Sequence, residues 1–187
     1  MLKWQINPHF LFNTLNNIYA LSQMKSDRAP DAVHRLSEML RYVIYDCNEE
    51  FVSLEHEINY IKSYIALQLL KDDEISNVNF EFSEINTKLK IAPMLLISFI
   101  ENSFKHSKIE DLNNGWIDIK IRTKEEQLKL EIKNSIPDIE PSKDKQGGIG
   151  LDNVKRRLEL IYPQKYNLNI EKTEKEYAVY LTIELSS

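Results

Sequence analysis

A histidine near the start of the chain stands where its imidazole could act as a nucleophile. On a helix that turns about 100° per residue, Asn13 and Asn16 lie within about 40° of His9. The apolar side chains project to the other side: Leu11, Leu15 and Ile18. A neutral imidazole is nucleophilic near neutral pH, because its pKa lies close to that value. The alternative is a solvated histidine in a first helical turn, with Asn7 as N-cap and Pro8 at the first position.

A second group of reactive side chains lies further along the chain. Glu101 and Lys105 are four residues apart, as are Asn102 and His106, so they project as adjacent rows on one helix face. Carboxylate and amide oxygens suit Mg²⁺, and a lysine suits phosphate as a compact charge. The pattern predicts a Mg-triphosphate site, and the alternative is a salt-bridged, solvated edge of an amphipathic helix.

A glycine-rich turn opens the last predicted helix. Gly147, Gly148 and Gly150 precede Asn153 in the run that starts this helix. Glycines let backbone N–H groups point at an anion bound at a helix start. A phosphate cradle is therefore predicted, against the alternative of a flexible joint between loop and helix.

In this order and at these separations, the three groups resemble those of the LytS-type sensor histidine kinases, over nearly the whole chain. That family carries its phosphorylated histidine in a Pro-His-Phe-Leu-Phe-Asn run, which occupies residues 8–13 here and makes His9 the expected phosphoacceptor. Asn13 stands where related kinases use an amide or hydroxyl to orient water for dephosphorylating their partner. The resemblance therefore implies a phosphatase role for Asn13.

The second and third groups resemble the Bergerat-type ATPase fold, which histidine kinases share with type II topoisomerases and Hsp90-like chaperones. The resemblance implies ATP and Mg²⁺ as cofactors. It makes Asn102 the Mg²⁺ ligand, and Lys105 and His106 contacts of phosphate or ribose. Glu101 becomes a candidate general base that also approaches Mg²⁺ through water. The resemblance also implies a lid over the nucleotide, at about residues 136–148. The remaining nucleotide-binding residues would be Gly147, Gly148, Gly150 and Asn153.

Two positions depart from the family pattern. Many histidine kinases have an acid directly after the histidine that takes its proton, whereas Phe10 follows here and leaves the base open. The family usually places an aspartate that bonds the adenine amino group after its central strand, and Asn134 stands there in this chain. Either the amide binds adenine instead, or nucleotide binding is weakened.

Hydrophobic periodicity predicts helices up to about residue 70. The second helix is expected from Pro30 to about Tyr45, and Ser53 is a candidate N-cap for the third. The apolar stripe of the second is Val33, Leu36, Leu40 and Val43 or Ile44, and that of the third is Leu54, Ile58, Ile61, Ile65 and Leu69. Such stripes need a partner surface, so the helices are expected to pack as a hairpin in a homodimer.

Alternating apolar residues predict strands near 78–82, 117–121, 128–132, 168–170 and 179–183. Helices are expected from Pro93 to about His106 and from Gly147 to about Tyr162. The predicted fold class is α+β. A helical dimerisation and phosphoacceptor hairpin, residues 1–72, precedes an α/β sandwich ATPase domain of Bergerat type, residues 73–187, with a mainly antiparallel or mixed sheet.

Net charge, cysteine count and hydropathy exclude several classes of partner and binding site. The net charge of −5 argues against nucleic acid as a partner. Cys47 is the sole cysteine, which excludes an internal disulfide, and a zinc site is not expected. No apolar run approaches membrane-spanning length. We expect a cytoplasmic piece, and the resemblance implies a membrane-anchored sensor segment upstream.

These observations predict a sensor histidine kinase core. It would autophosphorylate His9 with ATP and pass the phosphoryl group to an aspartate of a cognate response regulator. One alternative is a degenerate kinase that acts as a nucleotide-binding signalling scaffold. Another is an ATPase in which Glu101 activates water.

Overall fold

The structure is a computed structural model and describes residues 7–71, 77–136 and 149–186. Its helices are α1 (Pro8–Gln23), α2 (Arg28–Tyr45), α3 (Leu54–Gln68), α4 (Ile97–His106) and α5 (Ile149–Ile161). Its strands are β1 (Val52–Ser53), β2 (Val78–Ser83), β3 (Lys90–Ile91), β4 (Ile117–Lys124), β5 (Gln127–Ser135), β6 (Tyr166–Lys172) and β7 (Glu176–Glu184). Short 3-10 turns follow α2 and α3, at Asp46–Asn48 and Leu69–Lys71.

Five strands form one mixed sheet in the order β2-β4-β5-β7-β6. Strand β2 runs parallel to β4, and the other neighbouring pairs are antiparallel. The central strands bury alternate residues, because α4 packs against β4 and β5 on one face of the sheet. The predicted α+β class and the mixed sheet are therefore confirmed.

A two-stranded sheet that the periodicity did not predict ties the helices to the chain before α4. Strands β1 and β3 pair antiparallel, with Val52 opposite Ile91. The Leu54 backbone N–H donates to the Leu89 carbonyl oxygen at 2.8 Å. The start of α3 is thereby held by residues beyond the proposed domain boundary at 72/73. That boundary stays a prediction, and residues 72–76 lie outside the described ranges.

The buried faces of α1 and α2 differ from the predicted stripes. In α1, Phe10 and Thr14 are buried and Leu15 is 45% exposed. In α2, the predicted Val33 and Ile44 are exposed, and the buried row is Ala32, Leu36, Met39 and Tyr42. The predicted Leu11, Ile18, Leu40 and Val43 do pack against the core, so the predictions are wrong only at Leu15, at Val33 and at the alternative Ile44. Specific contacts that an apolar stripe does not encode add the other buried residues. The Phe10 ring packs on Tyr64, and the Tyr42 hydroxyl bonds a carboxylate of α3.

Helix α3 is enclosed on several sides. Its Ser53 N-cap accepts a hydrogen bond from the His56 backbone N–H, as predicted. The predicted stripe is buried within this chain, with Leu69 partly buried, but Tyr60, Tyr64 and Leu67 on other faces are buried as well. The expectation that this stripe needs a second chain is therefore wrong, because α2 and the segment before α4 cover it.

Helix α4 begins later than predicted. Residues 93–96 form a turn, and the helix starts at Ile97. Met94 has a φ of 57°, in the left-handed region, which a continuing right-handed helix does not allow. Helix α5 ends at Ile161, close to the prediction. In the described part of the chain, no helix combines the length and apolarity needed to cross a bilayer.

The register of α5 generates a stability prediction. Leu158 is completely buried, whereas Leu160 on the same helix is 71% exposed. We expect Leu158→Ala to lower the free energy of unfolding by about 2–5 kcal/mol, because it removes buried methyl groups and leaves a cavity. Leu160→Ala should change it by about 0.5 kcal/mol at most. Urea unfolding of both variants measures this, and equal losses would contradict the register.

Candidate functional site

The first two sequence groups meet at one cavity of about 510 Å³, here called the His9 cavity. It lies between α1, α3 and α4, and Gly150 at the start of α5 reaches its edge. The predicted site residues that line it are His9, Asn13, Glu101, Asn102, Lys105, His106 and Gly150. The fold thus brings a candidate nucleophile of α1 to the polar face of α4.

Local structure at the start of α1 presents His9 to this cavity. Asn7 is the N-cap as predicted, and its side-chain oxygen accepts from the His9 backbone N–H at 3.1 Å. His9 is exposed, and its ring nitrogen Nδ1 lies 3.2 Å from Asn13 Nδ2, one turn along the helix. This contact fixes the imidazole ring and leaves Nε2 outside the pair.

An aromatic row fixes α1 against α4. The ring of buried Phe10 lies 4.8 Å from that of Tyr64 on α3, measured between centroids. Tyr64 in turn meets Phe104 of α4 edge-on at 5.7 Å. Because Phe10 directly follows His9, burying one side chain holds the other at the cavity. Burial also raises the pKa of the Tyr64 hydroxyl, so it stays protonated.

The polar face of α4 has unusual electrostatics. Burial raises the pKa of the Glu101 carboxyl above its ordinary value. Burial, together with the charges of Lys105 and Lys172, lowers the pKa of His106. His106 is therefore neutral near pH 7 rather than a second cation beside Lys105. Glu101 gains the character of a base that operates closer to neutral pH.

Asn134 does not line the His9 cavity. It lies on the covered face of β5, 1% exposed, and its Nδ2 donates to the Ser135 carbonyl oxygen at 2.8 Å. Its Oδ1 has no hydrogen-bond partner among the described residues, and the same holds for Ser107 Oγ. Ser135 Oγ donates to the Ser107 carbonyl oxygen at 2.8 Å, which ties this strand end to the end of α4. A buried acceptor without a partner costs stability unless a ligand or water supplies a donor.

The third sequence group is only partly described. Gly147 and Gly148, with most of the proposed lid, lie outside the described ranges. A side chain built on Gly150 would meet nothing within 4 Å, so no steric need for glycine is visible there. Asn153 is exposed and does not line the His9 cavity. Arg157 of the same helix donates to the Pro93 carbonyl oxygen at 2.9 Å.

Comparisons with known proteins agree with this geometry. A family model described as histidine kinase matches residues 1–74, which contain α1 to α3. Sensor protein LytS of Streptococcus mutans is 28% identical over 193 residues, covering 97% of this chain and 33% of that protein. Sensor protein kinase HptS of Staphylococcus aureus is 37% identical over 118 residues, covering 63% of this chain and 22% of that protein. The chain is therefore similar to histidine kinases in its first 74 residues and to sensor histidine kinases over most of its length.

The chain spans about a third of the length of the first curated histidine kinases it matches. Among solved structures, full-length ShkA in complex with AMPPNP has a TM-score of 0.53 at 11% identity. The match covers 85% of this chain and 37% of that one. At this identity the likeness concerns the fold alone, and it spans the helices as well as the sheet.

Sequence reasoning missed several residues around the site. Asn17, Gln68 and Glu110 also line the His9 cavity, and no spacing pattern singles them out. Glu57, in the first turn of α3, is completely buried beneath the start of α4, although glutamate side chains are rarely fully buried. One signal was available: Glu57 lies three residues after Leu54 and four before Ile61, on the side of the apolar stripe.

Proposed function

We propose that this chain is the catalytic core of a sensor histidine kinase, which phosphorylates His9 with ATP and passes the phosphoryl group to a response-regulator aspartate. The observation that carries the proposal is the shared cavity of His9 and the polar face of α4. An ATPase without a phosphoacceptor has no use for a histidine at that wall. The upstream membrane sensor segment and the cytoplasmic location implied by the resemblance stay predictions.

The donor set fits a magnesium nucleotide. Asn102 supplies an amide oxygen and Glu101 a carboxylate, the hard ligands that Mg²⁺ prefers, with Glu101 acting through water. Mg²⁺, when bound, would neutralise charge on the phosphates. Lys105 would contact a phosphate, and neutral His106 a phosphate or ribose oxygen. The partnerless Asn134 Oδ1 suits the amino group of adenine, and ShkA, which has this fold, was solved with an ATP analogue.

The chemistry is an in-line displacement. The lone pair of His9 Nε2 attacks the γ-phosphorus, the bond to the bridging oxygen breaks, and ADP leaves. In the structure Asn13 Nδ2 faces His9 Nδ1, and a hydrogen bond donated to Nδ1 would leave the imidazole proton on Nε2. Nε2 keeps its lone pair for the attack when the Asn13 amide is turned so that its oxygen accepts from Nδ1–H. A neutral amide cannot take the Nδ1 proton, so we assign that role to Glu101, whose pKa burial raises.

Asn13 has a second proposed role in orienting water for dephosphorylation of the regulator. Its exposed position one turn from His9 supports this role. The test is the lifetime of phosphorylated regulator mixed with Asn13→Ala kinase. A lifetime equal to that with the wild type would exclude the role.

Substitution of His9 tests the kinase assignment. We expect His9→Gln to lose all protein labelling by γ-labelled ATP while it still binds ATP, because only the nucleophile is removed. The label on the wild type should be acid-labile and base-stable, as expected for a phosphoramidate.

The matched control is His34→Gln, which changes an exposed histidine of α2 and should leave labelling unchanged. Labelling that survives His9→Gln would refute the phosphoacceptor. A wild type that binds ATP without being labelled would favour the signalling scaffold, and release of free phosphate alone would favour the ATPase.

Asn102 tests the magnesium site. Asn102→Ala should abolish the Mg²⁺-dependent part of ATP affinity, because alanine leaves a gap in the oxygen shell. Calorimetry with ATP, with and without Mg²⁺, measures it. Asn59→Ala, an exposed asparagine of α3, serves as control and should retain the Mg²⁺ dependence. If the ATP affinity of Asn102→Ala also depends on Mg²⁺, the metal is held by other residues.

Asn134 tests the adenine contact. Asn134→Leu should weaken ATP binding by about 1 kcal/mol, several-fold in affinity, because it removes the acceptor for the amino group. GTP should bind the wild type more weakly, since its O6 would face Oδ1, another acceptor. Asn134→Asp gains a charge-assisted hydrogen bond to adenine but loses the hydrogen bond to the Ser135 carbonyl oxygen. Its ATP affinity should therefore rise only slightly above that of the wild type. Equal ATP affinity of all three proteins would remove Asn134 from the site.

The homodimer remains part of the proposal, but on a different surface. Large apolar side chains of α1 recur at spacings of three and four and are exposed: Phe12 at 65%, Leu15 at 45% and Tyr19 at 66%. Val33, Ile44 and Tyr45 of α2 are exposed as well. An apolar row of this kind suits pairing with the same row of a second chain.

Light scattering tests this surface. Leu15→Glu with Tyr19→Glu should convert a dimer to a monomer at micromolar concentration, because two carboxylates would be buried in the interface. The matched change Leu160→Glu, at an exposed leucine of α5, should leave the dimer intact. A wild-type monomer at high micromolar concentration would overturn the proposal.

A further inference from the structure

The carboxylate of Glu57 is the most completely enclosed charged group among the described residues. It has no exposed surface and accepts three hydrogen bonds. The Tyr42 hydroxyl of α2 donates to Oε2 at 2.5 Å, the Met94 backbone N–H to Oε2 at 2.9 Å, and the Leu96 backbone N–H to Oε1 at 3.1 Å. One side chain of α3 thus joins α2 to the turn that begins α4.

The same turn is also held by α5 and the residue that follows it. The Ala92 backbone N–H donates to the Tyr162 hydroxyl at 2.8 Å. Arg157 donates to the Pro93 carbonyl oxygen at 2.9 Å. The turn from residue 92 to 96 is therefore bound by side chains of α3 and α5 and by Tyr162, which directly follows α5.

This binding compensates for local strain. Met94 has a φ of 57°, which costs a non-glycine residue about 1–2 kcal/mol. Such a conformation persists only where its surroundings enforce it. Helix α4 begins directly after the turn, and Glu101 and Asn102 lie in its second turn. The direction in which α4 leaves the turn therefore decides where its polar face meets His9.

We propose that Glu57 is a positioning residue of the phosphotransfer reaction: its carboxylate fixes the 92–96 turn and so sets the polar face of α4 against His9. This inference rests on the proposed kinase function. Through the Tyr42 hydroxyl, the same carboxylate makes the position of α4 dependent on α2. Glu57 does not line the His9 cavity, so its proposed role is positioning rather than contact with the reacting groups.

The geometry requires a carboxylate in particular. All three partners are donors, and a carboxylate has acceptor sites for each of them. Glutamine has nearly the same shape but replaces one oxygen with an NH₂ donor. Glu57→Gln therefore sets that donor against either the Leu96 N–H or the pair from Tyr42 and Met94, and leaves buried donors unpaired. The substitution changes hydrogen bonding with almost no change in volume.

The experiment measures the autophosphorylation rate constant per ATP-binding site in a single turnover, at a temperature where each variant is folded. Glu57→Gln should lower this rate constant about tenfold or more, because small displacements of reacting groups are costly. Tyr42→Phe removes one donor and the link to α2, and should lower it several-fold. Glu55→Gln, an exposed acid on the same helix, should match the wild type.

Hydrogen exchange gives a second readout that a general loss of stability would not produce. In Glu57→Gln, amides of residues 92–96 should exchange faster while those of β5 and β7 keep their wild-type protection. Should Glu57→Gln fail to fold, Tyr42→Phe carries both measurements. Wild-type rate constants together with wild-type exchange at 92–96 in the folded variants would overturn the inference. An unlabelled wild type would instead refute the kinase function, and the exchange measurement would still decide whether Glu57 holds the turn.

Discussion

The burial of one carboxylate organises the middle of this molecule. A carboxyl group without water is tolerated only when hydrogen-bond partners surround it, and Glu57 obtains donors from α2 and from the turn before α4. Burial raises the pKa of Glu57, and the hydrogen bonds from Tyr42, Met94 and Leu96 act in the opposite direction. The helices and the sheet domain therefore share a polar contact inside a continuous apolar core, in which small displacements are expensive.

The site follows from two amphipathic helices whose apolar faces are fixed in this way. Helix α4 buries Ile97, Phe99 and Ile100, so Glu101 and Asn102 must lie on the remaining side. Helix α1 is fixed at its first turn by the Asn7 cap and by Phe10. With each helix fixed by its apolar side, the polar sides face the same cavity.

Alternation was sufficient to predict the five strands of the main sheet, and residue types predicted the caps at Asn7 and Ser53. Strands β1 and β3 were not predicted. The meeting of His9 with the α4 group was implied by the resemblance to LytS-type kinases. Helical spacing failed to predict helix faces and boundaries where a single tertiary contact, and not the apolar stripe, determines them. Tyr42 turns α2 inward, and the enforced φ of Met94 delays the start of α4 to Ile97. The burial of Glu57 could not be predicted, because local spacing carries no information about donors supplied by distant residues. The enclosure of α3 within its own chain was hidden for the same reason.

Phe10 shows how packing and chemistry are divided at the start of α1. The position after the histidine, where many histidine kinases place an acid, is used here to bury a ring against Tyr64. A carboxylate there would lie in the core, so the proton acceptor has to come from another element. Glu101 stands across the His9 cavity, and burial raises its pKa toward the range in which a base works near neutral pH. The aromatic row that replaces the adjacent acid, Phe10, Tyr64 and Phe104, is also the contact that brings α4 and its carboxylate to the histidine.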